Sequence, residues 1–166
     1  MREIRIEPLR AEAFRPFGEV VSPSTSGGVG ANQGTATRFD HAARLAHDRP
    51  HATPNLALVR SMPRSLPLEV RLLEQHPHSS QLFAPLKAAR YLVCVAPTAP
   101  DGGPDVERLR AFVGQAGEGV NYAPGTWHHP FVVLDAPADL LMLVWEDGSA
   151  GDCVEHPLAQ PLVVTE

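Results

Sequence analysis

The stretch that decides the fold is Gly117-Glu118-Gly119-Val120-Asn121-Tyr122-Ala123-Pro124-Gly125-Thr126-Trp127-His128-His129-Pro130. Proline fixes φ and glycine tolerates positive φ, so Pro124-Gly125 predicts a tight turn between two strands. Trp127, His128 and His129 begin the second of these strands. Because side chains alternate between the two faces of a strand, only one of the two histidines can point into a given cavity. We favour His128 for this role.

A second polar cluster lies roughly fifty residues upstream and reads Glu74-Gln75-His76-Pro77-His78-Ser79-Ser80-Gln81. A histidine near a turn is more often a surface or hydrogen-bonded core residue than a catalyst. Two polar clusters at strand ends, however, can meet in the mouth of one barrel. The sequence therefore predicts that His76 and His128 share a site.

The bulk composition limits the class of protein. With 166 residues and 43% hydrophobic content, residues 1–166 predict one domain. A formal net charge of -5 without a basic run argues against a nucleic-acid partner or an anionic membrane. We expect no secretory signal and no membrane-spanning segment, because the first residues carry acidic side chains without a following apolar region and no apolar run approaches membrane length. Its two cysteines lack a C-x-x-C spacing and indicate buried thiols, so we expect a cytoplasmic protein with a small-molecule substrate.

Short apolar or alternating runs separated by prolines are typical of an all-β protein. One convincing helix is predicted over residues 105–113, and one helical turn over 11–14. Residues 22–34 predict a long loop, and the apolar run 140–145 predicts a strand buried on both faces. We expect an antiparallel β-barrel or jelly roll with a few short helices.

The two polar clusters partly match the motifs of cupin barrels. His76-Pro77-His78 resembles the first cupin motif, His-x-His followed by a glutamate, but Gln81 stands where the carboxylate is expected. Pro124-Gly125-Thr126-Trp127-His128 is a compressed form of the second motif. A neutral glutamine weakens metal affinity, although imidazole suits Zn, Ni, Fe or Mn. Two histidines can also act without a metal as acid and base, so both interpretations stay open.

A longer series of short motifs runs in order through almost the whole chain. They are Ala13-Phe14, Phe17-Gly18, Asn32-x-Gly34-x-x-x-Arg38, Leu73-Glu74-x-His76-Pro77, Gln81-x-Phe83-x-Pro85-x-Lys87, Pro104-Asp105, Leu109-Arg110-Ala111-Phe112, Gly119-Val120-Asn121-Tyr122 and Trp127-His128-His129-Pro130. With these motifs the chain resembles the ureidoglycolate lyase family, formerly called ureidoglycolate hydrolase. The resemblance implies a cupin-like β-barrel, usually a homodimer. It also implies a carbon-nitrogen lyase that splits ureidoglycolate into glyoxylate and urea in allantoin and purine catabolism, with nickel as the associated metal.

This reaction assigns roles to seven residues. It needs a base, an acid, a cation for the substrate carboxylate and hydrogen bonds to the ureido group. The candidates are His76 and His128 as acid and base or as metal ligands, Arg38 and Lys87 for the carboxylate, and Gln81, Asn121 and Tyr122 for the ureido group. For Arg38 and Lys87, a solvated surface position is the competing interpretation.

The chain also departs from the family pattern. Trp145-Glu146 stands where the family tends to have Asp-Arg, and Asp152 replaces an asparagine before Cys153. Two other functions remain open. One is a metal-dependent cupin enzyme of different chemistry, which the incomplete His-x-His and glutamate set disfavours. The other is a non-catalytic protein that binds small carboxylates.

Overall fold

The computed structural model describes residues 2–23, 27–87 and 90–166, which form 14 strands, one α-helix (α1, Ala11–Phe14) and two 3-10 turns (Asn32–Gly34 and Val106–Arg108). Within these ranges, none of the helices has the length and apolar character needed to cross a membrane. The strands are β1 Glu3–Pro8, β2 Gly18–Val21, β3 Val29–Ala31, β4 Ala36–Arg38, β5 Thr53–Ser61, β6 Leu68–Gln75, β7 Gln81–Lys87, β8 Arg90–Ala96, β9 Arg110–Gln115, β10 Gly119–Tyr122, β11 Trp127–His128, β12 Val132–Leu134, β13 Ala138–Glu146 and β14 Val154–Thr165.

Two sheets build the body of the protein. The larger has seven strands in the order β11-β6-β14-β1-β9-β8-β12, and β11 also pairs with β8, so the sheet closes on itself. The smaller has five strands in the order β2-β10-β7-β13-β5, and β3 and β4 form a separate hairpin. All pairings are antiparallel except those of β1, which runs parallel to both β14 and β9. The predicted all-β barrel with a few short helices is confirmed.

Strand β8 contributes to two apolar cores because its side chains alternate between faces. One core draws on strands of the larger sheet, and the other joins the two sheets. Fully burying an aliphatic side chain stabilises a fold by roughly 1.5–3 kcal/mol, so a strand buried on both faces is a main support of the barrel. The residues of β8 in the first core are Leu92, Cys94 and Ala96, and those in the second are Tyr91, Val93 and Val95.

The helix predicted over residues 105–113 is wrong. Only Val106–Arg108 forms a 3-10 turn, and Arg110–Gln115 is strand β9. Strand β9 lies between β1 and β8 and makes ladder hydrogen bonds to both. Ala111 and Phe112 are completely buried in opposite cores. The apolar spacing that suggests a helix is therefore that of a strand covered on both faces.

The long loop predicted over residues 22–34 is also wrong in part. Residues 24–26 lie outside the described ranges, whereas Val29–Ala31 pairs with Ala36–Arg38. The turn between these strands places Asn32 at φ 50° and Gln33 at φ 56°. Asparagine tolerates this left-handed region better than most residues, so Asn32-Gln33-Gly34 is the turn signal of a hairpin.

The outer face of β13 is less buried than its apolar sequence predicts. Leu140 and Val144 are buried in the direction of the second core, but Leu141 and Leu143 are only half-buried. Their ladder partners on the edge strand β5, Leu58 and Leu56, are themselves exposed. The run 140–145 is therefore buried on one face and not on both.

Both cysteines are free thiols, but only one is buried. Cys94 lies inside β8, and burial raises the pKa of its thiol to about 12. Cys153 is exposed, contrary to the prediction, because it lies in the polar connection between β13 and β14.

Candidate metal and catalytic site

Strands β6 and β11 bring the two polar clusters together. Glu74 lies near the end of β6, and His76 follows two residues later, so the strand's alternation directs both toward one side. Strand β11 places His128 directly opposite Glu74, as its partner across the ladder. The rings of His76 and His128 lie 5.6 Å apart, centroid to centroid, with an interplanar angle of 25°.

Backbone carbonyls set the orientation of both histidine rings. His76 Nδ1 donates to the carbonyl oxygen of Asp152 at 2.8 Å, and His128 Nδ1 donates to that of Thr126 at 2.8 Å. A carbonyl oxygen only accepts, so in the neutral ring Nδ1 carries the proton and Nε2 keeps its lone pair. Both Nε2 atoms are buried, and neither has a hydrogen-bond partner among the described residues. Two lone pairs are therefore available to a ligand or a proton.

Glu74 completes a cluster that we call the triad: Glu74, His76 and His128. Their ligand atoms all lie within 4.8 Å of one another. Glu74 Oε1 lies 3.5 Å from His128 Nε2, which is beyond normal hydrogen-bond length. Two imidazole nitrogens and one carboxylate oxygen suit a divalent transition metal such as zinc, nickel or iron. The triad therefore fits a metal ion.

The charges of the triad also favour a cation. Burial raises the pKa of Glu74. The neighbouring His128, His76 and His129 lower it by more than burial raises it, so the pKa of Glu74 lies below its usual value. Burial and the neighbouring His128 lower the pKa of His76, and the Asp152 carbonyl offsets this only in part. Near neutral pH the triad thus combines an ionised carboxylate with a neutral His76.

Glu74 was not among the site residues predicted from the sequence. The cupin motif predicts the carboxylate at the position of Gln81, five residues after His76, whereas the structure supplies it from two residues before His76. The spacing contained the signal. Alternate residues of a strand share a face, so Glu74-x-His76 on β6 marks a pair that points the same way.

Two of the predicted substrate-binding residues lie beside the triad. The ring of Tyr122 stacks on that of His128 at 4.1 Å with an angle of 13° between the planes. Gln81 is the ladder partner of Tyr122 and is buried. The Tyr122 hydroxyl and Gln81 Oε1 are buried and have no hydrogen-bond partner among the described residues.

The other three predicted residues lie elsewhere. Asn121 is adjacent to Tyr122 on β10, so its side chain lies on the other face of that strand. It donates to the Glu19 carboxylate at 2.8 Å and to the Arg44 carbonyl at 3.0 Å. Arg38 has a side chain 68% exposed and pairs with Asp40. Lys87 is exposed at the end of β7. No hydrogen bond or ion pair among the described residues joins any of the three to the triad.

The remaining histidines of the two motifs have partners outside the triad. His129 donates its Nδ1 proton to the Pro130 carbonyl at 2.7 Å, and burial lowers its pKa. His78 lies on the surface with its Nδ1 2.8 Å from a carboxylate oxygen of Asp48. One histidine from each motif therefore belongs to the triad.

The sequence is similar to known proteins over its full length. The model of the ureidoglycolate lyase family matches residues 1–165. The chain is 39% identical over 166 residues to a ureidoglycolate lyase of Burkholderia mallei (strain NCTC 10229), covering 100% of this chain and 95% of the relative. It is 37% identical over 158 residues to a ureidoglycolate lyase of Azotobacter vinelandii, covering 94% and 92%.

The chain belongs to the ureidoglycolate lyase family.

The family match confirms the resemblance that the sequence motifs indicate. Among solved structures, a dTDP sugar isomerase from Desulfovibrio desulfuricans G20 aligns with a TM-score of 0.49 at 16% identity, over 86% of this chain and 83% of that one. The barrel assignment rests on the strand pairings described above.

The triad predicts a specific loss of metal affinity. Removing one nitrogen ligand, in His76→Ala or His128→Ala, should lower the affinity for nickel(II) by at least about tenfold, since even outer-shell changes typically cost 10–100-fold. Isothermal titration of the purified protein with nickel(II) measures this. His78→Ala, an exposed histidine two residues from His76, is the matched control and should bind as the wild type does. Loss of binding in His78→Ala alone would contradict the assignment.

Proposed function

We propose that this protein is a cytoplasmic lyase that splits ureidoglycolate into glyoxylate and urea in the degradation of allantoin. The observation that carries the proposal is the pair of buried Nε2 lone pairs that converge with the Glu74 carboxylate. Full-length similarity to proteins named ureidoglycolate lyase supports the choice of substrate.

The reaction moves one proton between two atoms of the substrate. In ureidoglycolate a single carbon carries a hydroxyl, a carboxylate and the ureido nitrogen. As the hydroxyl loses its proton, a carbonyl forms on that carbon, and the carbon-nitrogen bond breaks with its electron pair passing to nitrogen. The nitrogen then takes up a proton and leaves as urea. The site must therefore supply a base and an acid within reach of both atoms.

The histidines of the triad can supply both. An unprotonated Nε2 accepts the hydroxyl proton, and the resulting imidazolium can return it to the departing nitrogen. The Glu74 carboxylate, 3.5 Å from His128 Nε2, stabilises that positive charge. In the alternative, a divalent metal, for which we propose nickel, would be held by the triad and would make the substrate hydroxyl more acidic. An Nε2 atom that holds a metal is not free to carry a proton, so these two roles of the histidines exclude each other.

We propose that Tyr122 and Gln81 hydrogen-bond the ureido group. Burial raises the pKa of Tyr122 well above its usual value, so the phenol stays protonated and can donate. The Gln81 side chain offers a carbonyl acceptor and amide donors. Polar groups buried without partners cost about 1–3 kcal/mol each, and a bound ureido group would satisfy them.

The two adjacent histidines are expected to respond differently to substitution. His128→Ala should reduce kcat by about two or more decades while the fold persists, because a proton carrier or ligand is lost. His129→Ala should mainly lower stability, since this ring donates its Nδ1 proton to the Pro130 carbonyl. Glyoxylate release from ureidoglycolate and thermal unfolding measure the two effects. A kinetic loss in His129→Ala with near wild-type activity in His128→Ala would contradict the assignment.

A wild-type protein that binds ureidoglycolate without releasing glyoxylate would be a binding protein and not a lyase.

Arg38 and Lys87 remain our candidates for the substrate carboxylate. A charge-assisted contact is worth about 1.5–3 kcal/mol, so Arg38→Ala or Lys87→Ala should raise KM by roughly one to two decades. Arg60→Ala is a matched control, because Arg60 is also an exposed arginine paired with an aspartate, Asp139. Unchanged KM in both variants would assign Arg38 and Lys87 to the solvated surface.

We also propose a homodimer that covers the outer face of the five-stranded sheet. Leu56 and Leu58 on the edge strand β5 are 65% and 72% exposed, and their ladder partners Leu143 and Leu141 are half-buried. Contiguous apolar patches of this kind mark interaction sites. The neighbouring Arg60 is neutralised within the chain, so the patch carries no charge that would repel a second copy. A two-fold interface is self-complementary and suits such a patch.

The dimer can be tested by light scattering. Leu58→Glu places a charge in the proposed interface and should convert a dimer at micromolar concentration into a monomer. Val29→Glu changes an apolar side chain that is 55% exposed outside this sheet and should leave the dimer intact. A monomeric wild type, or a dimer that survives Leu58→Glu, would count against the proposal.

A further inference from the structure

The orientation of His76 depends on one backbone carbonyl, that of Asp152. Asp152 lies in the connection between β13 and β14, where no strand ladder fixes the backbone. The position of this carbonyl must therefore be set by other contacts. The contacts of the Asp152 side chain identify them.

The Asp152 carboxylate closes the connection on itself. Oδ2 accepts from the backbone N–H of Gly148 at 2.7 Å, and Oδ1 accepts from that of Asp147 at 3.1 Å. The same Oδ1 also accepts from Arg49 Nη1 at 2.9 Å. A carboxylate with three donors, one of them charged, holds a short turn firmly because charge-assisted hydrogen bonds are about twice as strong as neutral ones.

Arg49 is the donor that comes from outside this turn. Its side chain is only 18% exposed. Besides Asp152, its Nη1 donates to Asp147 Oδ1 at 2.6 Å and to Ser149 Oγ at 2.7 Å. Two carboxylates close together would repel each other, and the guanidinium that pairs with both reduces this repulsion. With these partners, Arg49 is occupied in binding the turn.

The segment that carries Arg49 is hydrogen-bonded to the residues that follow His76. Ala46 N donates to Ser80 Oγ at 2.9 Å, and Ser80 N donates to the Ala46 carbonyl at 2.8 Å. Asp48 N donates to the His78 carbonyl at 3.2 Å. Arg49 thus joins the backbone that follows His76 to the backbone that accepts the hydrogen bond from the His76 ring.

We infer that Arg49 is a positioning residue for the triad. By fixing the Asp152 turn, it keeps the carbonyl in place for His76 Nδ1, and so keeps the His76 Nε2 lone pair directed at Glu74 and His128. Outer-sphere partners of this kind commonly set the tautomer and direction of a ligand histidine. The inference rests on the proposed function only in taking the triad as the working site.

The test compares Arg49→Ala, Arg49→Lys and the control Arg60→Ala. In Arg49→Ala we expect nickel(II) affinity to fall about 10–100-fold, with kcat reduced and KM for ureidoglycolate nearly unchanged. The contacts of Arg49 all come from one atom, Nη1. A lysine ammonium also offers several donors at one atom, but on a shorter side chain, so Arg49→Lys should recover part of the affinity. Arg60→Ala should match the wild type. Nitrogen-15 NMR of the metal-free protein should show the His76 ring losing its fixed Nδ1–H tautomer in Arg49→Ala alone.

The outcomes separate this inference from the proposed function. Wild-type nickel affinity and an unchanged His76 tautomer in folded Arg49→Ala would overturn the positioning role. A raised KM as the only change would also overturn it, because Arg49 would then be a substrate-binding residue. If Arg49→Ala is unfolded by circular dichroism, the longer, neutral side chain of Arg49→Gln replaces it. Wild-type affinity together with an unchanged His76 signal in folded Arg49→Gln overturns the role. A wild type that releases no glyoxylate, with the expected changes in Arg49→Ala, would refute the lyase and leave the positioning role standing.

Discussion

Two hydrogen bonds from histidine rings to backbone carbonyls determine what this site can do. His76 and His128 each donate their Nδ1 proton to a carbonyl, so in the neutral ring a buried Nε2 keeps its lone pair. Leaving a buried polar atom without a partner costs about 1–3 kcal/mol. The burial of apolar side chains in the two cores offsets that cost. The result is two Nε2 lone pairs fixed beside a carboxylate.

The fold brings the pair together through its shortest strand. Strand β11 has two residues and pairs with both β6 and β8, which sets His128 opposite Glu74. The preceding turn takes part as well, because Gly125 at φ 75° donates its N–H to the backbone carbonyl of His76 at 2.9 Å. The turn between β10 and β11 thus fixes the backbone of one histidine while it delivers the other.

The sequence predicted the strands and the meeting of the two histidines better than it predicted the environment of each side chain. Alternation identified β6 and β8 correctly, but in residues 105–113 a strand covered on both faces imitates a helix. Glu74 was missed because the cupin motif predicts the carboxylate at the position of Gln81. The places of Arg38 and Lys87 depend on side-chain packing, which spacing does not encode. The departures Trp145 and Glu146 have structural partners, since Trp145 stacks on His47 at 4.1 Å and Glu146 accepts from Asn55 at 2.9 Å.

The central claim is that the triad presents both Nε2 atoms and the Glu74 carboxylate to one point. Anomalous diffraction at the nickel edge, from crystals of the wild-type protein soaked in nickel(II), tests it most directly. The account predicts one strong peak bonded to the Nε2 atoms of His76 and His128 and to a carboxylate oxygen of Glu74. A peak bonded to Nδ1 of either ring, or nickel bound only at surface histidines such as His78, would contradict it.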